Sequence, residues 1–248
     1  MACITCWLHK NLVAIALFGL MSFGTYASDF DQLTILTEEY PPYNYKENGE
    51  LTGMAVDLLL RASKVVGSPI KKSQINLVPW ARAFNTAVAG PNTLLFSTSR
   101  SPEREALFKW VGPLDEIRIV LLAKKSTIVR PFEKMADITQ TVGVVRDDIG
   151  EHLILSQKVP SRLLFRSSKP YSMARMLAKD RVTFWAYPED TAKELLVEIG
   201  ESLDNYRVAH ILGSTGLYYA FSKDVDDSII AKLQEGLDKI KQEKKPSL

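Results

Sequence analysis

The protein has 248 residues, of which 46% are hydrophobic and 24% charged, and its formal net charge at pH 7 is +2. This length suffices for one large lobe or two medium-sized lobes. Positive and negative charges are nearly equal in number, which gives no support to nucleic-acid binding. Its two cysteines, Cys3 and Cys6, both precede the apolar run that opens the chain.

That apolar run extends from Leu12 to Phe23 and follows Lys10. Small and neutral residues continue to Ala27, an order typical of a secretory signal that is cleaved after Ala27. An uncleaved membrane anchor is the alternative, although about twenty apolar residues are needed to span a bilayer and this core is shorter. We therefore expect a periplasmic protein that begins at Ser28 and has no cysteine, hence no disulfide.

The mature chain opens with alternating and β-branched residues, which predict a strand over 33–37. The loop after this strand contains the acid Glu38, two prolines, and the tyrosines Tyr40, Tyr43 and Tyr45. Tyrosine offers flat apolar faces and a polar tip, which suits the wall of a ligand site. The alternative for each tyrosine is that it only packs the loop onto the core.

The next residues predict a hairpin turn at Asn48-Gly49 and a helix over 54–66, where apolar residues recur at helical spacing. A second strand is predicted over 75–78, with Trp80 in the first turn of the following helix. If the two strands are parallel, Trp80 lies at the same edge as the tyrosine loop; a tryptophan of the core is the alternative. The order of strand, helix and strand predicts βαβ units and a mainly parallel sheet.

A third apolar run, 94–96, predicts a buried strand that ends at Ser97. Ser99, Arg100 and Arg104 follow within one short stretch. An arginine presents a rigid fork of donors that matches a carboxylate, and small hydroxyls beside it can use the remaining lone pairs. We therefore predict a carboxylate site here, with Arg104 as the anchor and Arg100 in a secondary role.

The same stretch has a second interpretation. Ser101-Pro102 is also a good helix start, so the segment could be a solvated turn that caps a helix. Arg104 would then lie at the surface and pair with Glu103 or Glu105, where an exposed pair contributes only about 0 to 1 kcal/mol.

The rest of the chain begins with a strand predicted over 117–123 and continues as a second alternating series. Its predicted strands are 141–145, 162–165, 182–186, 206–212 and 217–221, and its predicted helices are 151–156, 170–178, 187–199 and 225–241. Two α/β series of similar size, joined near 118–124 and 208–215, predict two lobes with a cleft between them.

Four segments of this sequence resemble the extracellular solute-binding proteins of family 3, the polar amino-acid receptors of bacterial ABC importers. They are YPPYNYKENGELTGMAVDLL from Tyr40, VPWARAF from Val78, SRSPEREALFKWVGPL from Ser99 and ADITQTVGVV from Ala136. The resemblance covers residues 33–241 and implies a two-lobe α/β periplasmic-binding-protein fold of type II, with two hinge crossings and a ligand cleft between the lobes. Lobe one would comprise 28–122 plus 214–248, and lobe two would comprise 123–213.

The resemblance also implies roles for residues. In that family the arginine of the matching Ser-Pro-Glu-Arg motif binds the ligand's carboxylate, which assigns this role to Arg104. The other ligand contacts expected from lobe one are Ser97, Ser99, Glu38, Tyr40, Tyr43 and Trp80.

Lobe two departs from the family pattern. The loop after the strand at 141–145 reads Arg146-Asp147-Asp148-Ile149, where family members usually have Gly-Thr/Ser-Thr. The aspartate that holds the ligand's α-amino group falls at about Pro188. A shift of one residue would restore an acid, or else the ligand is not a standard α-amino acid. The candidates expected from lobe two are Arg146, Tyr187 and Glu189.

The resemblance implies a monomeric periplasmic receptor that closes on a small carboxylate-bearing solute, such as an amino acid. It would deliver this ligand to an ABC transporter or a membrane sensor. An enzyme is the alternative, since a few relatives of this fold dehydrate small acids. The sequence shows no Ser-His-Asp set, no metal-ligand spacing and no phosphate loop, so we expect no catalytic residue, no metal and no cofactor.

Overall fold

The structure is a computed structural model, and it describes residues 28–243. The predicted signal segment, residues 1–27, therefore lies outside the described residues. Within 28–243, no helix has the length and hydrophobicity that a membrane span requires.

Strands and helices alternate along the described chain. The strands are β1 Thr34–Thr37, β2 Tyr45–Glu47, β3 Glu50–Thr52, β4 Ile75–Leu77, β5 Thr93–Ser99, β6 Lys109–Lys124, β7 Val142–Val145, β8 Leu164–Ser167, β9 Phe184–Pro188 and β10 Tyr206–Phe221. The α-helices are α1 Met54–Val65, α2 Trp80–Ala89, α3 Pro102–Glu105, α4 Ile149–Ser156, α5 Pro170–Ala178, α6 Glu189–Glu198 and α7 Asp227–Glu243.

Eight of the strands form one sheet in the order β4-β1-β5-β10-β6-β9-β7-β8. On one side of the sheet β1 pairs in parallel with β4 and β5, and on the other β7 pairs in parallel with β8 and β9. The parallel βαβ units predicted from the sequence are therefore present in two groups, which we call lobe one and lobe two. The small hairpin of β2 and β3 turns at Asn48-Gly49, as predicted.

The two groups are joined by β6 and β10, which pair antiparallel with each other along their whole length of 16 residues. The sequence predicted separate strands over 206–212 and 217–221, and this was wrong. The intervening glycines interrupt the apolar pattern, but shifts in the pairing register near Ile211/Gly213 and Leu217/Tyr219 accommodate them without breaking the strand. Both crossings run unbroken through the two lobes, so the residue bounds of each lobe stay a prediction.

Two further strands extend beyond their predicted ends. Strand β5 continues through Ser97 to Ser99, because these polar residues still pair with β10. Strand β9 includes Tyr187 and Pro188, so α6 begins only at Glu189. The apolar pattern stops earlier than the hydrogen-bonded ladder in both cases, and the predicted ligand residues are therefore held more rigidly than loop residues.

Helix α7 covers lobe one by packing on α1. Gly236 is buried at this contact, and a methyl group placed on it would lie 2.3 Å from the carbonyl oxygen of Ala62. The two helix backbones therefore approach more closely than any residue with a side chain would allow at position 236.

Replacing Gly236 with alanine should lower the free energy of unfolding, because overpacking costs about 1 to 3 kcal/mol. The gain in helix propensity, about 1 kcal/mol, offsets only part of this loss. Urea denaturation measures the change, with the exposed Asp238→Ala in the same helix as a control that should stay within about 0.5 kcal/mol. Equal stability of Gly236→Ala and the wild type would contradict the close packing.

Candidate ligand-binding site

The ends of four strands bring polar side chains to the space between the lobes. Glu38 follows β1, and Arg104 lies in α3, shortly after β5. From lobe two, Asp148 follows β7 and Tyr187 lies near the end of β9. The carboxyl ends of parallel strands are where open α/β sheets bind ligands, so this convergence marks the candidate site.

Arg104 is almost fully buried, with 1% of its surface exposed. Its Nη1 donates to the carbonyl oxygen of Ser99 at 3.3 Å, whereas its Nε has no hydrogen-bond partner. The guanidinium carbon lies 5.2 Å from the ring centroid of Trp80 and 5.0 Å from that of Phe84. Two aromatic rings thus hold a guanidinium group that has an unused donor.

Arg104 is not the surface residue of the alternative interpretation. It forms no ion pair with an acid anywhere in residues 28–243, and Glu105 instead pairs with Arg100. Burial lowers the pKa of Arg104, and the nearby carboxyl groups of Asp148 and Glu38 oppose this effect.

A single carbonyl oxygen connects the two lobes at the site. The carbonyl of Asp147 accepts hydrogen bonds from Arg104 Nη2 and from Trp80 Nε1, each at 2.9 Å. Asp147 has a φ of 60°, a left-handed conformation that turns this carbonyl. Trp80, the first residue of α2, is buried in the core of lobe one and also reaches across the cleft, while its contact with a ligand stays a prediction.

Two buried carboxyl groups lie close to Arg104. Glu38 and Asp148 are 5% and 6% exposed, respectively. Burial raises the pKa of Glu38 well above its usual value, and the charge of Asp148 adds to this effect. Burial likewise raises the pKa of Asp148 to about 6, although Arg104 and the backbone amides of Ile149 and Gly150 act in the opposite direction. Asp148 Oδ2 has no hydrogen-bond partner.

Tyrosines surround the two acids. Tyr40 makes an edge contact with Tyr187 across the cleft, with ring centroids 6.1 Å apart. Burial raises the pKa of both tyrosines, and the charges of Glu38 and Asp148 raise it further. The hydroxyl of Tyr187 is buried without a partner, which leaves a second unused polar atom beside Asp148.

Three other predicted residues have supporting positions. Tyr43 stacks behind Tyr40 at 5.4 Å and directs its hydroxyl to Asp115 instead of the acids. The hydroxyl of Ser97 donates to Asn44, whose side-chain amide in turn donates to the carbonyl of Glu38. Ser99 contributes the carbonyl that accepts from Arg104. These contacts fix the loop after β1.

Two predicted residues of lobe two lie outside this cluster. Arg146 is exposed at the start of its loop, because the chain turns there and directs Asp148 inward. Glu189, in the first turn of α6, is bound by Arg118 of β6 and by Lys193 of its own helix. Neither residue forms a hydrogen bond or an ion pair with Arg104, whose hydrogen bonds go to the carbonyls of Ser99 and Asp147.

Asp148 and Phe84 are site residues that the sequence analysis did not assign. Asp148 occupies the N-cap position of α4, where aspartate is common for reasons of helix capping alone. The sequence feature that indicates it is an acidic residue in the loop between a buried strand and the next helix of a βαβ unit. Phe84 lies in α2 and packs against Trp80 and Phe108, so its spacing marks it as a core residue and not as a neighbour of Arg104.

A cavity of about 300 Å³ adjoins the cluster between the lobes. Glu38 and Trp80 line it, and its other walls are mainly apolar. The apolar walls are Leu77, Val78 and Pro79 from lobe one and Pro170, Tyr171 and Leu195 from lobe two, and Glu39, Ser168 and Lys169 complete the lining. A larger cavity of about 590 Å³ lies beside Tyr43 and Asp115, and Glu38 does not line it. Neither Arg104 nor Asp148 lines either cavity. Because Glu38 and Trp80 line the smaller cavity, it is the better candidate for the body of a ligand.

Comparison with known proteins agrees with this geometry. The family model of the bacterial extracellular solute-binding proteins, family 3, matches residues 33–246. The chain belongs to this family. The resemblance inferred from the sequence is confirmed, and no curated protein sequence matches the chain.

Several solved structures share the fold. A histidine kinase sensor domain with similarity to periplasmic binding proteins has a TM-score of 0.73 at 20% identity, covering 86% of this chain and 91% of that one. Holo ArgBP from T. maritima has a TM-score of 0.70 at 18% identity, with coverage of 86% and 91%. The substrate-binding protein of an amino acid ABC transporter has a TM-score of 0.68 at 18% identity, with coverage of 84% and 93%. The predicted two-lobe fold of type II is thereby confirmed.

Asp148→Asn should stabilise the ligand-free protein at high pH. A carboxyl whose pKa is raised on folding binds its proton more tightly in the folded state, so its contribution to stability falls as pH rises between 3.8 and about 6. Asparagine has no charge to bury and is an equally good helix cap. We expect a gain of about 3 kcal/mol at pH 8 that shrinks to roughly 1 kcal/mol at pH 4.5.

Urea denaturation of both proteins at the two pH values measures this difference. If Asp148→Asn raises the free energy of unfolding equally at both pH values, Asp148 does not titrate in this way. If it lowers the free energy of unfolding at pH 8, burial of the Asp148 charge does not destabilise the protein.

Proposed function

We propose that this solute-binding protein captures a small carboxylate-bearing solute, an amino acid or a related compound, in the cleft between its lobes. It does so in the periplasm, after export by the segment 1–27, and acts as a monomer that delivers the ligand to an ABC transporter or a membrane sensor. The family and the compared structures are binding proteins and a sensor domain, so binding and not catalysis is the function proposed.

The observation that carries the proposal is the buried guanidinium group of Arg104. Buried charges in proteins are normally paired, since an isolated charge away from water is costly. Arg104 forms no ion pair in the described chain, and its Nε is unused. A carboxylate is the anion that an arginine fork matches best, and the rings of Trp80 and Phe84 already hold the fork in place.

Closure of the lobes follows from the same contacts. The hydrogen bonds from Trp80 and Arg104 to the Asp147 carbonyl exist only when the lobes meet. A ligand that touches Arg104 on one side and the loop after β7 on the other adds further contacts in the closed state alone. Such differential contacts are what shifts a conformational equilibrium towards closure.

Arg104→Ala should weaken ligand binding about a hundredfold or more, because truncating one partner of a desolvated charged pair costs about 2 to 5 kcal/mol. Arg104→Lys keeps the charge but loses the fork and should recover only part of the loss. A thermal-shift screen of amino acids and small organic acids identifies a ligand, and calorimetric titration measures its affinity. Arg100→Ala is the matched control, since Arg100 is half-exposed and paired with Glu105. Wild-type affinity in Arg104→Ala would overturn the assignment.

Ligand binding should also make the protein more compact. Small-angle scattering of the mature chain should show a smaller radius of gyration at saturating ligand than without it, since the ligand favours the closed form. An unchanged radius at a concentration where calorimetry proves binding would count against lobe closure.

A further inference from the structure

The loop after β7 is held by hydrogen bonds from within lobe two. Three successive amides donate there: Arg146 to the carbonyl of Ser167, Asp147 to a carboxylate oxygen of Glu151, and Asp148 to the carbonyl of Val145. The distance from the Asp147 amide nitrogen to Glu151 Oε2 is 2.7 Å. The carbonyl of Asp147, by contrast, accepts from Trp80 and Arg104 of lobe one. One residue is therefore bound by lobe two through its amide and by lobe one through its carbonyl.

Glu151 makes a hydrogen bond that helix capping alone does not explain. It is the third residue of α4, where a glutamate commonly accepts from the amide of the N-cap residue, here Asp148. Glu151 accepts instead from Asp147, one residue earlier, whose φ is 60°. Few residues other than glycine adopt this left-handed conformation readily. The hydrogen bond thus engages the residue whose carbonyl joins the lobes.

Glu151 is itself fixed by two neighbouring strands. It is 5% exposed, so its charge requires a partner, and Arg166 of β8 donates through Nε to its second oxygen. The start of α4 also packs closely on β9, since a methyl group on Gly150 would lie 2.3 Å from the carbonyl oxygen of Ala186. A carboxylate with one oxygen on an arginine and the other on an amide has little freedom to turn.

We propose that Glu151, held by Arg166, is a positioning residue for lobe closure. It orients the Asp147 carbonyl towards Trp80 and Arg104 and so sets the fraction of the protein that is closed. Without Glu151, Asp147 is free to return to the more favourable right-handed or extended backbone regions, and its carbonyl then no longer meets both donors. The inference rests on the proposed function, in which closure encloses the ligand.

Single-molecule fluorescence energy transfer measures the closed fraction without any ligand. The mature chain has no cysteine, so one dye can be attached to a cysteine introduced in each lobe. The exposed Lys64 in α1 and the exposed Lys179 after α5 are suitable positions. The open and closed forms differ in dye separation, and the ratio of their populations is the quantity compared between variants.

Glu151→Ala and Arg166→Ala should each lower the closed-to-open ratio about fivefold, because each removes a buried hydrogen bond that holds the loop. Arg166→Lys keeps a cation beside Glu151 and should recover part of this loss. Arg162→Ala is the matched control, since Arg162 is an exposed arginine shortly before β8, and should leave the ratio unchanged. Urea denaturation of each variant gives its free energy of unfolding separately.

A double-mutant cycle distinguishes positioning from a merely structural role. Trp80→Phe keeps an aromatic ring but removes the Nε1 donor to the Asp147 carbonyl. If Glu151 acts through that carbonyl, Glu151→Ala should lower the ratio only about twofold in the Trp80→Phe protein, since one of the two donors is already lost. A structural role would lower the free energy of unfolding and change the ratio equally in both backgrounds.

Four results would overturn the inference: no closed population in the wild type, an unchanged ratio in both alanine variants, an equal loss in Arg162→Ala, or additivity in the cycle. None of them touches the carboxylate site, because the measurement uses no ligand. Conversely, wild-type affinity of Arg104→Ala in calorimetry would overturn the proposed function and leave the positioning role of Glu151 intact.

Discussion

The antiparallel pairing of β6 with β10 is the interaction on which both lobes depend. Each lobe contains a small group of parallel strands. In the sheet, β10 and β6 lie between the two groups and are the strands that connect them. Because the pair runs without a break for 16 residues, the lobes share one sheet and the loops that follow β1, β5, β7 and β9 meet at a common cleft. The positions of Glu38, Arg104, Asp148 and Tyr187 at the cleft follow from that arrangement.

The charged groups buried in the cleft do not balance one another. One arginine and two carboxyl groups are buried together, two of the carboxyl and hydroxyl oxygens have no partner, and the pKa of each acid is raised. Such a cluster reduces the stability of the ligand-free closed form. It is also what allows a small charged solute to gain binding free energy there, since the solute supplies the interactions that the chain omits.

The sequence predicted most of the fold, because apolar periodicity reports burial and burial here follows the strands and helices closely. It missed the continuity of β10, where bulges and not apolar residues maintain the ladder. Strand ends and the family resemblance together predicted a group that the structure brings to the cleft: Arg104, Glu38, Tyr40, Trp80 and Tyr187. The sequence did not single out Asp148, because the acid lies at a helix N-cap, where aspartate is common, and the positive φ of Asp147 beside it is not evident from local sequence.

The hydrogen bonds from Trp80 and Arg104 to the Asp147 carbonyl also determine which substitutions the sequence tolerates at this position. The acceptor is main chain, so no substitution at position 147 deletes it as long as the new residue tolerates a left-handed conformation, as glycine and asparagine do. The side chain at position 147 can therefore change, while the neighbouring Asp148 is a buried carboxyl group in the cleft. A descendant that changes residue 148 therefore keeps the backbone contact that joins the two lobes at residue 147.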